Sequence, residues 1–278
     1  MEPLRALVAA ALAEDIGAGD ATTLATVPAA RLGRARVLAK APGVLVGKAV
    51  CVEVFSALAP ECRLQGREDG SAVGPGDVVW EIEGPLRALL TGERVALNFA
   101  QRLSGIATLT ARFVAAVAGT GVAITDTRKT TPGLRFLEKY AVRCGGGVNH
   151  RSSLDAMLLV KENHIAAAGS LETAVARALA AAAGRSVEVE VRDADGLRAA
   201  LRSGVGRVLL DHWTPAGVAA AVRLRGDGGV PELEVSGNLS LDNVRDYAVP
   251  GVQYLSVGAL THSAPALDLS LLVEGGAP

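Results

Sequence analysis

The sequence contains few aromatic residues: phenylalanine, tryptophan and tyrosine together make up only 3% of the 278 residues. Hydrophobic residues nevertheless reach 50%, so the core must be built from alanine, valine and leucine. Few aromatic side chains are present to stack on nucleic-acid bases, and a net charge of −1 offers no overall attraction for a polyanion. Nucleic-acid binding is therefore not expected.

Cysteine and long apolar runs are also scarce. The spacing of Cys51, Cys62 and Cys144 matches neither a metal site nor a disulfide framework, which favours a reducing cytoplasm. No apolar run reaches the roughly 20 residues of a membrane span, so no membrane partner is expected. The short apolar run 6–13 is followed at once by two acidic residues, which favours an amphipathic first helix over a signal peptide.

Short apolar segments alternate with helical segments in the second part of the chain. Strands are predicted at 122–125, 157–160, 187–191, 207–210, 232–235 and 254–257. Strands that alternate with helices indicate βαβ units and a parallel sheet. This number of units favours a (β/α) barrel, although a doubly wound sheet remains an alternative.

The first part of the chain has a mixed pattern. Helices are predicted at 3–13 and 49–58, strands within 34–46 and at 78–82, and a loop at 14–30. A long helix is expected over about 91–118. This part therefore reads as a separate α and β unit.

Polar or small residues follow each predicted strand of the second part. They are Arg128 with Lys129, Lys161, Glu190, Asp211, Ser236 with Gly237 and Asn238, and Gly258. Because the carboxyl ends of barrel strands meet at one rim, where barrel enzymes bind their substrates, we expect these residues to share a site.

The stretch 125–151 is strongly basic. Helical spacing after Pro132 places Arg135, Lys139 and Arg143 on a solvated helix face. The remaining cations lie outside that helical pattern and predict a site for an anionic substrate; they are Arg128, Lys129, His150 and Arg151.

Three strand-end side chains suggest specific chemistry. The segment Val187–Val191 reads VEVEV, so both glutamates lie on one face. Glu190 and Asp211 offer hard oxygen ligands for Mg²⁺ or a sugar, although a wet edge strand is the alternative for Glu190. Lys161 is compatible with a Schiff base, as in aldolases, or with a phosphate contact.

The remaining candidates have weaker patterns. Ser236 and Gly237 allow backbone N–H groups to approach a phosphate, although a plain turn has the same pattern. His212, His262 and the cysteines read as packing or surface residues.

Long motifs in the chain resemble one enzyme family. DTRKTTPGLRFLEKYAVRCGGGVNHR (126–151) is similar to the signature of quinolinate phosphoribosyltransferases, and the resemblance extends to GERVALNFAQRLSGIAT (92–108), VKENHIAAAGS (160–170) and YLSVGALTHSAPALDLSL (254–271). It implies an N-terminal α/β sandwich formed by residues 1–105 and 267–278. It also implies an incomplete (β/α) barrel formed by residues 106–266.

The resemblance further implies an activity. Members of the family convert quinolinate and phosphoribosyl pyrophosphate to nicotinate mononucleotide, CO₂ and pyrophosphate, with Mg²⁺, in NAD biosynthesis. The smallest working unit of the family is a dimer with shared active sites, so a homodimer or larger homo-oligomer is expected.

The resemblance also implies a role for each candidate residue. Those expected to bind quinolinate are Arg128, His150, Arg151 and, from a second subunit, Arg94. Those expected to face the carboxylates and the pyrophosphate are Lys129 and Lys161. Those expected to hold the ribose and Mg²⁺ are Glu190 and Asp211. Those expected to bind the 5-phosphate are Ser236, Gly237 and Gly258.

Four positions depart from the family pattern. The family usually has glycine at Ser153 and Asn238, aspartate at Ala156 and asparagine at His212. Each departure lies beside a residue with an expected role. Two alternatives therefore stay open: a related phosphoribosyltransferase for another aromatic acid, and a non-catalytic metabolite sensor.

Overall fold

The computed structural model describes residues 2–274. The strands are β1 (Leu32–Ala39), β2 (Gly43–Val44), β3 (Arg63–Gly66), β4 (Ala72–Val73), β5 (Val78–Pro85), β6 (Ala123–Thr125), β7 (Leu158–Val160), β8 (Val187–Val191), β9 (Arg207–Asp211), β10 (Glu232–Ser236), β11 (Tyr254–Ser256) and β12 (Leu269–Val273). The helices are α1 (Glu2–Ile16), α2 (Ala21–Thr26), α3 (Lys48–Leu58), α4 (Leu86–Ala116), α5 (Arg135–Cys144), α6 (Glu162–Ala168), α7 (Leu171–Ala180), α8 (Ala194–Ser203), α9 (Pro215–Arg225), α10 (Val244–Tyr247) and α11 (Ala259–His262).

The chain separates into two compact units, which we call the sandwich (2–109 with 264–274) and the barrel (110–263). The sandwich contains an antiparallel sheet in the order β12-β1-β5-β3, so β12 near the end of the chain pairs with β1. Alternation along the strands buries Val37, Trp80 and Ile82 on one face. Residues 275–278, which the sequence also assigns to this unit, lie outside the described part.

The barrel contains a parallel sheet of six strands in the order β6-β11-β10-β9-β8-β7. Among the described residues, β6 and β7 do not pair with each other, so the sheet is an incomplete barrel. The free edge of β6 makes one bridge, between Thr125 and Val148. Val189 and Leu210 on the outer face are fully buried, and β8 packs against α7 and α8.

Side-chain caps start three helices of the barrel. Ser170, Asp193 and Thr214 each accept a hydrogen bond from the backbone N–H three residues later. Such caps satisfy N–H groups that have no partner inside the helix. They fix where each helix begins, and so fix the loops between strands and helices.

The sequence predicts most of these elements. All six barrel strands are confirmed to within one residue at each end. The predicted loop 14–30 is wrong in part, because α2 lies inside it and begins where Asp20 accepts a hydrogen bond from Thr23 N–H. Helix α6, which directly follows β7, was not predicted.

None of the helices formed by residues 2–274 combines the length and apolar character that crossing a bilayer requires.

Candidate active site

A cavity of about 430 Å³ lies where the barrel strands end. Its wall contains Thr127, Arg128, Lys129, His150, Arg151, Leu159, Lys161, Glu190, Leu209, Asp211, His212, Glu234, Ser236 and Ser256. The structure therefore brings together candidate residues from the ends of five different strands, β6 to β10, as the sequence predicts.

Strand register explains this convergence. Asp211 pairs with Ser236, which pairs with Ser256, so three strand ends stand side by side in one row. The row below it contains Glu190 and Glu234, which both pair with Leu209. Because side chains alternate between the two faces of a strand, both rows point to the inside of the barrel.

Two arginines supply concentrated positive charge to the cavity. Arg128 Nε is buried and has no hydrogen-bond partner among the described residues. Arg151 donates from Nη1 to Met157 O at 2.9 Å, and burial together with the nearby Arg128 guanidinium lowers the pKa of Arg151. A buried donor without a partner, beside a second cation, is a site that an anion would complete.

Acidic side chains also line the cavity. Glu190 on β8 forms an ion pair with Lys161, which follows β7. Asp211 at the end of β9 accepts a hydrogen bond from Ser236 Oγ at 3.3 Å and lies 3.6 Å from Arg192 Nε. The two carboxylates stand on neighbouring strands and line the same cavity.

Two glycines allow other side chains to pack closely against the backbone beside the cavity. Gly237 has a φ of +107°, and an added Cβ would lie 2.8 Å from Nδ1 of His212. A Cβ on Gly258 would lie 3.1 Å from His262 Nε2 and 3.2 Å from Lys129 Cδ. His212 is exposed as predicted but also lines the cavity, and His262 lies beside Gly258 and Lys129.

The departures from the family pattern fit the backbone. His212 and Asn238 have φ values of 59° and 51°, which is the left-handed region where glycine, asparagine and histidine occur most readily. Ser153 and Ala156 lie in the turn before β7, where the Ser153 hydroxyl donates to Asp155. None of the four changes removes a charged group from the cavity wall.

A group of charged residues forms the base of the cavity, with Glu234 in the cavity wall, and we call it the charged floor: Glu188, Arg207, Glu232 and Glu234. Arg207 donates to Glu234 at 3.1 Å and to Glu232 at 2.9 Å. Glu234 also accepts a hydrogen bond from the Ser256 hydroxyl. Burial raises the pKa of Glu188 and of Glu234 to about 7 in each case.

The sequence singled out Glu190 but missed Glu234 and Arg207. Glu232 and Glu234 alternate with apolar residues in the segment ELEVS, as the glutamates do in VEVEV. That alternation is the pattern from which the inward orientation of Glu234 could have been predicted.

The prediction that Lys139 lies on a solvated helix face is wrong. Its side chain is buried, and Nζ lies 2.5 Å from Asp126 Oδ1 and 3.0 Å from His150 O. Asp126 follows β6 directly and is itself fully buried, so its carboxylate needs a cationic partner. The helical spacing of Lys139 does not reveal this partner, because Asp126 lies outside the helix. Arg143 is exposed as predicted, whereas Arg135 is half-buried.

Arg94 lies outside the barrel. It belongs to the part of α4 that lies in the sandwich, and 57% of its side chain is exposed. Its Nη2 atom lies 3.8 Å from Oε1 of Glu93.

Comparison with known proteins identifies a family. The family model described as quinolinate phosphoribosyl transferase, C-terminal domain, matches residues 106–272, and the corresponding N-terminal domain matches residues 20–104. A nicotinate-nucleotide pyrophosphorylase [carboxylating] from Mycobacterium leprae is 45% identical over 94% of this chain and 94% of its own length. A probable nicotinate-nucleotide pyrophosphorylase [carboxylating] from Bacillus subtilis is 41% identical over 93% of this chain and 89% of its own length.

Solved structures agree with these sequence matches. NadC from Streptococcus pyogenes is 40% identical, covers 97% of this chain and 96% of its own, and superimposes with a TM-score of 0.91. The nicotinate-nucleotide pyrophosphorylase from Francisella tularensis gives a TM-score of 0.93 at 37% identity, with 98% of this chain and 96% of its own covered. Two domain matches, extended identity and a shared fold lead to one assignment: this chain belongs to the quinolinate phosphoribosyl transferase family.

Proposed function

We propose that this protein is a carboxylating nicotinate-nucleotide pyrophosphorylase. It converts quinolinate and phosphoribosyl pyrophosphate to nicotinate mononucleotide, CO₂ and pyrophosphate in NAD biosynthesis. The observation that carries the proposal is the cationic cavity at the strand ends, where Arg128 Nε is buried without a partner. Family membership supplies the reaction, and the cavity supplies the groups that the reaction needs.

Quinolinate carries two carboxylates, which match two guanidinium groups in charge and geometry. Arg128 and Arg151 line the cavity together, and a planar guanidinium donates two parallel hydrogen bonds to a carboxylate. Lys129 and Lys161 add two ammonium groups to the same wall. In this assignment Lys161 acts as a fixed cation rather than as a Schiff-base nucleophile.

Phosphoribosyl pyrophosphate would occupy the opposite side of the cavity. Ser236 offers a hydroxyl in the cavity wall, and Gly237 and Gly258 offer backbone N–H groups without a Cβ for the 5-phosphate. Glu190 and Asp211 lie where the ribose hydroxyls would bind.

Glu190 and Asp211 also fit Mg²⁺, because that ion is usually held by one or two carboxylates together with substrate phosphates. Their carboxylates stand on adjacent strands in one cavity wall. When bound, Mg²⁺ would neutralise charge on the pyrophosphate.

The chemistry has two steps. The quinolinate ring nitrogen forms a bond to C1 of the ribose while the bond from C1 to pyrophosphate breaks, and its electron pair leaves with pyrophosphate. Positive charge that develops on the sugar is stabilised by the nearby carboxylates. The carbon–carbon bond to the adjacent carboxylate then breaks, CO₂ leaves, and the pyridinium ring holds the electron pair until that carbon takes one proton from water.

We also propose a homodimer, or a larger homo-oligomer, in a cytoplasmic location. The Arg94 side chain is exposed on α4, where it is available to a second subunit. In the proposed assembly it adds one further cation to the partner's cavity. The cysteine pattern supports the location.

The direct test is an assay of the purified protein with quinolinate, phosphoribosyl pyrophosphate and Mg²⁺. We expect nicotinate mononucleotide and CO₂ in equal amounts. Nicotinate and other pyridine carboxylates are tested separately as alternative substrates in place of quinolinate. Efficient turnover of one of them, without turnover of quinolinate, would assign the chain to a different acid.

The shared site can be tested by mixing two inactive variants, Arg94→Ala and Lys161→Ala. A mixed dimer contains one cavity in which both side chains are intact, so mixing should restore up to about a quarter of wild-type activity when subunits exchange freely. Activity that stays at the level of the separate variants, with exchange demonstrated by mass spectrometry, would show that Arg94 does not act across subunits.

A further inference from the structure

The imidazole of His150 lies between the cavity and the charged floor. Its side chain is 7% exposed. Nδ1 lies 2.8 Å from the backbone nitrogen of Arg151, and Nε2 lies 3.0 Å from Glu188 Oε2. Both ring nitrogens are therefore engaged by the protein itself.

These two contacts fix the tautomer. A backbone N–H can only donate, so Nδ1 must accept and carries no proton. In the neutral ring the proton then sits on Nε2, which donates to Glu188. Burial lowers the pKa of His150, which agrees with a neutral ring.

The same tautomer excludes a metal at this place. Ligand atoms of His150, Glu188 and Glu234 all lie within 4.8 Å of one another, which is close enough to surround an ion. A metal would need the Nε2 lone pair, and the neutral ring could provide it only by moving its proton to Nδ1. That proton would then oppose the N–H of Arg151 at 2.8 Å.

The backbone of His150 is held as firmly as its ring. Its N–H donates to Asp126 Oδ1 at 2.8 Å, and its carbonyl accepts from Lys139 Nζ at 3.0 Å. The N–H of Arg151 is fixed by the ring of His150. Both ends of the peptide that leads into Arg151 are thereby anchored to buried groups.

We propose that His150 is a positioning residue that acts through Arg151, and that its ring nitrogens do not bind the substrate. This role replaces the sequence-based expectation that His150 grips the dicarboxylate. The proposal rests on the proposed function, because the ligand that Arg151 receives is taken to be quinolinate. Charged groups that face the ring are Glu188 from β8, Arg207 from β9, Glu234 from β10, Lys139 from α5 and the neighbouring Arg151.

The first test is ¹⁵N NMR of the histidine rings. The chain has four histidines, and the spectrum of His150→Gln assigns the signal of interest. We expect a neutral ring with its proton on Nε2 from pH 6 to 8, with both ¹⁵N shifts unchanged when quinolinate is added. An imidazolium, or a proton that moves to Nδ1 on quinolinate binding, would overturn the proposal.

The second test is a double-mutant cycle on the KM for quinolinate. His150→Phe should raise that KM at least tenfold, with a smaller effect on kcat, and His150→Asn should recover most of the loss because its amide oxygen can replace Nδ1. In an Arg151→Ala background, His150→Phe should change KM less than twofold. The matched control is Arg128→Ala, whose effect should add to that of His150→Phe.

The outcomes separate three roles. If His150→Phe raises the KM for quinolinate as much in the Arg151→Ala background as in the wild type, His150 contacts quinolinate directly. A lower melting temperature with unchanged KM would mean that His150 only stabilises the fold, and would also overturn the proposal. Wild-type protein that makes no nicotinate mononucleotide would refute the proposed function instead, and the NMR test on free protein would still measure the tautomer.

Discussion

The sandwich and the barrel fill their interiors in opposite ways. In the described part of the sandwich the buried polar residues are Thr23 and Ser104, and none is charged. The barrel fully buries five ionisable side chains: Asp126, Glu138, Lys139, Glu188 and Glu234. Removing a charge from water costs free energy unless a partner compensates for it, so buried charges are retained where they serve a purpose. The contrast teaches that the barrel interior is shaped for chemistry and the sandwich interior for stability.

The largest expected effect tests the barrel side of this contrast. Replacing Lys161 by alanine removes a cavity cation and leaves Glu190 without its ion-pair partner. We expect kcat/KM to fall about a thousandfold, which corresponds to about 4 kcal/mol. Steady-state kinetics of Lys161→Ala measure the loss. The exposed Lys40 of the sandwich provides the control, because Lys40→Ala should leave kcat/KM within twofold, and a loss below tenfold for Lys161→Ala would contradict the contrast.

The next largest effect tests the sandwich side. Ile82 is fully buried on β5, so Ile82→Ala should lower the free energy of unfolding by about 2–5 kcal/mol. The two tryptophans lie one in each unit, at Trp80 and Trp213. Urea unfolding followed by fluorescence in a Trp213→Phe background therefore reports on the sandwich.

The control for that measurement is Leu32→Ala, which changes a residue that is 72% exposed and should shift the unfolding midpoint little. An Ile82→Ala protein as stable as Leu32→Ala would show that the sandwich core is not the source of stability.

The third prediction concerns the phosphate side of the cavity. Gly237→Ala places a methyl group 2.8 Å from His212 Nδ1 at a φ of +107°. We expect the KM for phosphoribosyl pyrophosphate to rise ten- to a hundredfold, while the KM for quinolinate changes less. Gly204→Ala is the matched control, because Gly204 also has a positive φ but its added Cβ meets nothing within 4 Å. Equal kinetics of the two variants would remove Gly237 from the proposed phosphate site.

The fourth prediction concerns pH and the charged floor. Burial raises the pKa of Glu234 to about 7, so between pH 4.5 and 7 the folded state holds a proton that the unfolded state releases. The contribution of Glu234 to stability is therefore greatest at low pH and is lost as pH rises through 7. Between pH 5 and pH 8 the free energy of unfolding should therefore fall by about 2–3 kcal/mol less in Glu234→Gln than in the wild type. Denaturant unfolding at both pH values measures it, and parallel curves for wild type and variant would contradict the assignment.

The smallest effect concerns a departure from the family pattern. Asn238 has a φ of 51°, which glycine adopts without strain. Asn238→Gly should change the free energy of unfolding by less than about 1 kcal/mol and kcat/KM by less than threefold. Thermal unfolding and kinetics test this expectation. A large gain in kcat/KM would show that Asn238 limits the reaction.

The sequence predicts the barrel well because its signals are local. Each strand is a short apolar run, and the residues after the strands converge because parallel strands share one direction. On this basis the sequence predicts that Arg128, Lys161 and Asp211 meet at one rim, and the structure brings them into one cavity.

Other features depend on contacts that a linear pattern does not contain. Lys139 belongs to a helix whose spacing predicts exposure, but its partner Asp126 approaches it from the end of β6. Helix α2 begins at a capping hydrogen bond that Asp20 accepts from Thr23 N–H. The two ring nitrogens of His150 form hydrogen bonds with groups from two different segments, the backbone N–H of Arg151 and the carboxylate of Glu188 on β8.

The row of strand ends above the charged floor divides the barrel interior into two tiers with different freedom to change. An engineer who wished to retarget the scaffold to another heterocyclic acid would place random substitutions at the upper tier, around His212. Replacing Arg207 would leave the buried Glu234 without its cationic partner, so mutagenesis libraries that reach the charged floor would contain many destabilised clones.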